Sequence, residues 1–270
     1  MNFPIAFVYI SNRPGSIDLL ASSFAKQTDP GYELVIVDGY PGRAERGAAR
    51  QFLLECGVNL GWYGVPKLKA YPDTITGLCN AMNTGIIHTR ADYVVFIHDF
   101  CLLPFNAVEV WKEAVTYHGT GAAITGMAKM VAAPEQDLED DITVWREYDA
   151  LTALQQAHEV WIPEHMEVFY LGLPMPLLEY VNGFDERADG CSTWALESMR
   201  SQVQRFHTRL VVDRKLLLIM FNHRTWKTWG KDWVYPYVSG SKEPGWEEIS
   251  PNPFDLKALR ADYLKTAPPL

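Results

Sequence analysis

The chain has 270 residues and a mass of 30.6 kDa, with 48% hydrophobic and 21% charged residues, a balance that excludes disordered, collagen-like and low-complexity classes and suffices for one large domain or two small ones. Its net charge of -9 is uneven: residues 1–100 carry 8 basic and 9 acidic side chains, 101–200 carry 5 and 17, and 201–270 carry 11 and 7. Overall acidity disfavours non-specific nucleic-acid binding, although a basic strip near the C-terminal third can still meet a phosphate backbone.

Apolar runs such as 3–10 and 216–221 fall well short of the ~20 residues that a membrane helix needs, so no membrane span is expected. The first residues show neither a basic start nor a small-residue cleavage pattern, which predicts no signal peptide and a cytoplasmic home. Cys56, Cys79, Cys101 and Cys191 form no Cys-x-x-Cys pair and read as buried thiols rather than zinc ligands or a disulfide framework.

In chain order, residues 3–10 are β-branched and aromatic and end at Ser11-Asn12-Arg13-Pro14-Gly15, which predicts a buried strand and a turn. Ser16 then caps a helix whose apolar face is Ile17, Leu19, Leu20 and Phe24, stopped by Thr28-Asp29-Pro30-Gly31. Residues 33–37 form a second strand closed by Asp38-Gly39. Strand, helix and strand make a βαβ unit, whose right-handed parallel pairing puts both strand C-termini on one sheet edge. Residues 43–56 predict a helix, 67–70 a short strand, and 74–88 an amphipathic helix with Ile75, Leu78, Met82 and Ile86 on one face. The run 93–97 is a third strand ending at His98-Asp99-Phe100. A helix over 104–118, a strand over 122–127 and an acid-rich surface loop over 134–147 follow. A strand at 167–171, a Pro174/Pro176 turn, the Asn182-Gly183-Phe184-Asp185-Glu186 turn, a helix over 192–206 and a strand-rich stretch over 210–221 complete the pattern.

Three polar clusters terminate three strands: Asn12-Arg13, Asp38 and His98-Asp99. Ligands of open α/β sheets bind outside the strand C-termini, so these groups share a crevice suited to a nucleotide. The first turn holds neither Gly-x-Gly-x-x-Gly nor a Walker loop, so phosphates must be held otherwise. A carboxylate beside an imidazole can hold a divalent cation against a diphosphate.

The opening Tyr9-Ile10-Ser11-Asn12-Arg13-Pro14, Gln27-Thr28, and Glu33-Leu34-Val35-Ile36-Val37-Asp38-Gly39 stand in a recognisable order. So do Gly77 with Ala81-Met82-Asn83-Thr84-Gly85, Asp92 through Asp99, Asn182-Gly183-Phe184-Asp185-Glu186, Glu197 and His223. Over roughly residues 3–224 this set resembles the GT-A glycosyltransferases, family 2 in particular. The resemblance implies an α/β fold of GT-A (Rossmann-like) type, an open mixed sheet flanked by helices. It implies one domain over 1–270, with a nucleotide-sugar-binding half (1–100), an acceptor-side half (101–224) and an aromatic, basic C-terminal wrap (225–270).

It further implies donor contacts from Ser11, Asn12, Arg13, Asp38, Asn83, His98 and Asp99, and a Mn2+ or Mg2+ ion on Asp99 and His223. Glu197 is the implied base, with Asp185 and Glu186 in reserve, and Asp185, Glu186, Trp194 and Trp226 are the implied acceptor contacts. The activity implied is transfer of a sugar from a nucleotide-sugar to an acceptor hydroxyl, with inversion. The chain departs from the family pattern in having His98-Asp99-Phe100 where Asp-x-Asp is usual, Met82 where an Arg commonly stands, and Glu197-Ser198 where Glu-Asp is usual.

Each residue also has a plainer reading. Asp38 can cap its own turn, His98 can be a hydrogen-bonded interior histidine, Glu197 can sit on a helix surface, and the 183–186 turn can be purely structural, with Gly183 supplying a positive φ. Between Arg205 and Lys231 stand seven basic residues and one acid, interleaved with Trp226 and Trp229, which suits core packing, sugar stacking or an extruded base. A glycan, a small molecule and a hydroxymethylated DNA base stay open as acceptors. The rival functions are a nucleotidyltransferase and a carbohydrate- or nucleic-acid-binding module without catalysis. Oligomeric state is not legible.

Overall fold

The structure, a computed structural model, describes residues 5–11, 17–40, 46–66, 77–99, 101–132, 170–189, 203, 209–222 and 252–268. The expected strand at 67–70, the acid-rich loop at 134–147 and, save for Val203, the helix at 192–206 lie outside those residues.

β1 (Ile5–Ser11), β2 (Glu33–Asp38) and β4 (Tyr93–His98) are buried on both faces save for half-buried His98, which is why their sequences are continuous apolar runs rather than alternating ones. Between them lie α1 (Ile17–Ala25), α2 (Arg46–Glu55), β3 (Leu60–Gly64) and α3 (Leu78–Ile87). The two-residue β5 (Cys101–Leu102), α4 (Ala107–His118), β6 (Ala123–Ala132) and β7 (Tyr170–Pro174) follow, then α5 (Met175–Tyr180), β8 (Leu210–Asn222) and α6 (Leu256–Leu264). Pro174 ends a strand and Pro176 opens a helix, so the expected turn is a direct strand-to-helix junction; proline fits the first helical turn, where its missing N–H has no partner to lose.

The eight strands form one sheet in the order β3-β2-β1-β4-β7-β6-β8-β5. β3, β2, β1 and β4 are mutually parallel, whereas β7 is antiparallel to both β4 and β6. This is the expected open mixed α/β sheet. From β1 the chain extends first towards β2 and β3 and later back to β4 on the other side. The topological switch, where flanking connections diverge and leave a crevice, therefore lies between the C-termini of β1 and β4.

Side chains alternate between two cores. Phe7, Tyr9, Leu34 and Ile36 pack with Leu20 and Phe24 of α1 and Trp111 of α4 on one face. Val8, Ile10, Val35 and Val37 pack with Cys79, Met82 and Ile86 of α3 and Leu177 and Leu178 of α5 on the other. α3 comes close to the sheet at Gly85, where a Cβ would lie 2.2 Å from Val8 Cγ1. Cys79 and Cys101 are buried free thiols and Cys56 is partly buried. Among the described residues no helix is long and apolar enough to cross a membrane.

Candidate active site

Parallel register brings the strand ends together. Ser11 lies opposite Asp38, and Ile10 lies opposite His98, so β1, β2 and β4 terminate level with one another. Two main-chain bonds splice the turns beyond them: Gly39 N–H donates to Ser11 O at 2.7 Å, and Asp99 N–H donates to Ile10 O at 3.1 Å. The Ser11 hydroxyl donates to Asp99 Oδ2 at 3.2 Å, crossing the switch point from β1 to the residue after β4. Ser11, Asp38 and Asp99 are 2%, 0% and 3% exposed, so three polar side chains occupy a position where an unserved polar group is costly.

Asp38 accepts from Tyr40 N–H on Oδ1 at 3.1 Å and from the Tyr63 hydroxyl on Oδ2 at 2.7 Å. The first bond is the turn-capping role that any strand-end aspartate can play; the second comes from the neighbouring strand. Arg46, at the start of α2, donates to Tyr40 O at 2.9 Å and pins the far side of the same turn. Tyr63 and Arg46 were not singled out from sequence. The signal for Tyr63 was the aromatic pair Trp62-Tyr63 between Gly61 and Gly64, which reads as a connection because glycine punctuates it.

A second polar cluster joins α3 to the 182–189 segment. Asn83 donates from Nδ2 to Phe184 O at 2.8 Å and to Glu186 Oε1 at 3.0 Å, and accepts from Phe184 N–H at 2.8 Å. Both amide hydrogens are thereby used, so Asn83, expected as a donor contact, braces the turn. Glu186, expected on the acceptor side, is 1% exposed and takes a further bond from Asn80 Nδ2 at 3.0 Å. Asp185, a reserve base, caps a 3-10 turn at Glu186–Ala188 and is paired to Arg187, whose Nη2 donates to Oδ2 at 2.7 Å. Asn83 and Glu186 hold each other while Asp185 holds Arg187, and Phe184 carries the result to the sheet through an edge-on contact with Phe96 at 5.3 Å.

Asp189 completes this cluster. Gly77 gives α3 no capping side chain, and Asp189 supplies the cap from afar, accepting from Cys79 N–H at 2.7 Å and Asn80 N–H at 3.1 Å. Burial pushes its carboxyl up to about 7, and the Glu186 charge adds to that against the opposing N–H bonds. Burial, followed by the charges of Asp189, Asp185 and Glu186, raises the Cys79 thiol well above its ordinary range, so this buried cysteine stays a thiol.

Ser11, Asp38, His98 and Asp99 thus share one sheet edge, and Asn83, Asp185 and Glu186 form the brace. Asn12, Arg13, Trp194, Glu197, Trp226 and His223 lie outside the described residues. No protein-family model matches the sequence, and no curated protein matches it. Solved structures do. Residues 1–349 of S. aureus TarS, in complex with UDP, superpose with a TM-score of 0.58 at 12% identity over 82% of this chain and 61% of that one. The mannosyltransferase PcManGT from Pyrobaculum calidifontis, in complex with GDP-Man and Mn2+, superposes with a TM-score of 0.50 at 17% identity, over 80% and 56%.

The fold is that of the GT-A glycosyltransferases. A longer form of TarS matches with a TM-score of 0.57 over 37% of its length, so this chain spans less than two thirds of each of these GT-A structures. At 12–17% identity the likeness is one of fold. In the GT-A frame, Ser11 and Asp99 stand at the switch point on the carboxyl edge of the parallel half, with Asp38 beside Ser11 at the end of β2.

Proposed function

We propose that this chain is a family 2-type glycosyltransferase that moves a sugar from a nucleotide-sugar to an acceptor hydroxyl. The observation that carries the reading is the convergence of Ser11 and Asp99 at the switch point of a GT-A sheet, with Asp38 beside Ser11. The neighbours with UDP or GDP-Man bound support a nucleotide-sugar as donor. Residues 1–100 serve as the donor half and 101–224 as the acceptor half of one domain, with 225–270 wrapping it.

In this reading the nucleoside rests against Asp38, with Asn12 and Arg13 beside it, and the diphosphate lies towards His98 and Asp99. Mg2+ and Mn2+ commonly take one or two carboxylates and fill the rest of their shell with phosphate oxygens and water, so a single buried carboxylate oriented by Ser11 suits them. Asp99 would hold the ion, with His223 as a second ligand; among the described residues no three His, Cys, Asp or Glu side chains group into an all-protein cage. Such an ion, when bound, supplies neutralisation of the leaving diphosphate. Glu197 takes the acceptor proton as the hydroxyl attacks the anomeric carbon opposite the leaving group, which inverts that centre. Asp185 is a weaker candidate base because its carboxylate is committed to Arg187 and to its own turn. Trp194 and Trp226 offer stacking faces to the acceptor, whether glycan, small molecule or hydroxymethylated DNA base.

Thermal unfolding against a panel of nucleoside diphosphates and nucleotide-sugars, each with and without Mn2+, tests this. One base should stabilise the protein, by about 2.7 kcal/mol at ~100 times its dissociation constant. The metal-dependent part of that shift should vanish in Asp99→Asn. A protein that no nucleotide stabilises is not a nucleotide-sugar enzyme.

A further inference from the structure

We propose that Tyr63 is a positioning residue of the nucleoside pocket, acting through Asp38: its hydroxyl fixes the orientation of that carboxylate for the ligand. This rests on the donor-site reading above and names a residue that the reading did not contain.

An aspartate's terminal torsion is broad and roughly two-fold, so a strand-end carboxylate is not fixed by its backbone alone. Asp38 is held from two sides, by the Tyr40 N–H on Oδ1 and by Tyr63 on Oδ2. The bonds come from different elements, the residue's own turn and the adjacent edge strand. Together they set the plane of the carboxylate.

Tyr63 is in turn held firmly. β3 runs parallel to β2 with Tyr63 opposite Ile36 and Gly64 opposite Val37, so the phenol reaches forward along the strand direction to the end of β2. Its ring packs against the core that contains Phe7, Leu34 and Ile36. The preceding residue, Trp62, points to the opposite face and stacks on His88 at 4.0 Å between ring centroids and 25° between planes, and His88 meets Tyr263 edge-on at 4.9 Å. His88 is fixed by a 2.7 Å bond between Nδ1 and Thr84 O. An aromatic stack on one face therefore anchors the strand whose next residue orients Asp38 on the other. A group held this way loses little freedom when ligand arrives, and preorganisation of that kind appears as affinity for the part of the ligand that Asp38 meets. The Asp38 oxygens accept hydrogen bonds, so that part of the ligand carries hydroxyl or N–H donors, as a ribose or a uracil or guanine base does.

Calorimetric titration of the wild type, Tyr63→Phe, Asp38→Ala and the double variant with UDP and with GDP tests the inference. Tyr63→Phe is expected to weaken the preferred nucleoside diphosphate by up to about tenfold, the cost of ordering the Asp38 side chain at the moment of binding. On the Asp38→Ala background the same substitution should change affinity by less than about twofold, since a residue acting through Asp38 has nothing left to act on. Asp38→Glu, which displaces the carboxylate from the phenol while keeping its charge, should reproduce the loss and serves if Tyr63→Phe does not unfold cooperatively. Wild-type affinity in Tyr63→Phe, or an equal loss on both backgrounds, overturns the role of Tyr63 and leaves the donor site standing. A wild type that binds no nucleoside diphosphate, UDP and GDP included, overturns both.

Discussion

Gly183 has a φ of +73°, and a Cβ on it would lie 2.3 Å from Asn83 Oδ1. Neighbouring Asn182 also sits in the left-handed region, at φ 58°, where asparagine is tolerated better than most residues. Gly183→Ala therefore combines an unfavourable backbone conformation with a clash against an amide that cannot move without releasing Phe184 and Glu186. A loss of about 2–3 kcal/mol is expected in urea unfolding with an unchanged denaturant slope. A loss under about 0.5 kcal/mol would show that the turn can relax. The Asn-Gly pair announces such a turn in sequence, because the left-handed conformation is a local property. Asn83 announces nothing: its partner Glu186 is 103 residues away, and a helical asparagine looks alike whether it meets a ligand or the protein. A strand-end acid is legible as polar by its place after an apolar run, whereas the bond between Asn83 and Glu186 is visible only in the folded chain.

Among elements, α3 depends on a cap that its own sequence lacks. Asp189 serves that helix, and its folded pKa of about 7 exceeds the roughly 3.9 of an unfolded aspartate. The folded protein thus binds the extra proton between those values. The stability that this group contributes is fully present below about pH 4 and is lost as pH rises through 7, on the order of 4 kcal/mol at most. Asp189→Asn removes the titration, so the stability of the wild type relative to this variant should fall steadily from pH 5 to pH 8 in urea unfolding. A difference that is flat or rises with pH would contradict the buried assignment. Elements with strong local signals are readable in sequence: β1, β2 and β4 as continuous apolar runs, and α1 and α3 from their apolar faces. β3 was missed because Gly61 and Gly64 break its pattern, and the two-residue β5 exists only through its pairing with β8. β6 runs on to Ala132, beyond the expected end at 127, because β8 pairs with it along that length.

At the scale of the molecule, α6 was not anticipated either, since nothing local marks where a short helix near the C-terminus will dock. It docks beside α3 and the ends of β4 and α5. Arg260, 8% exposed, donates to Thr89 O at 3.1 Å, Ala91 O at 3.2 Å and Glu179 Oε1 at 2.9 Å. Ahead of the helix, Asn252 and Asn182 exchange amide bonds with each other's carbonyls at 3.0 and 3.3 Å, and Asn252 also donates to Phe184 O at 2.8 Å and accepts from Glu186 N–H at 3.1 Å. Residues 252–268 therefore close over the same turn that Asn83 braces from within, and this ties the C-terminal segment to the 182–186 turn. Arg260→Leu keeps apolar bulk but leaves buried carbonyls and the Glu179 carboxylate without their donor. Because an abandoned buried acceptor costs more than the bond it once made contributed, the expected loss is about 3–5 kcal/mol. Urea unfolding should show it as a lower midpoint with one cooperative transition. If α6 were merely an appendage, the variant would instead unfold in two steps or lose less than about 1 kcal/mol, and the main transition would stay where it is in the wild type.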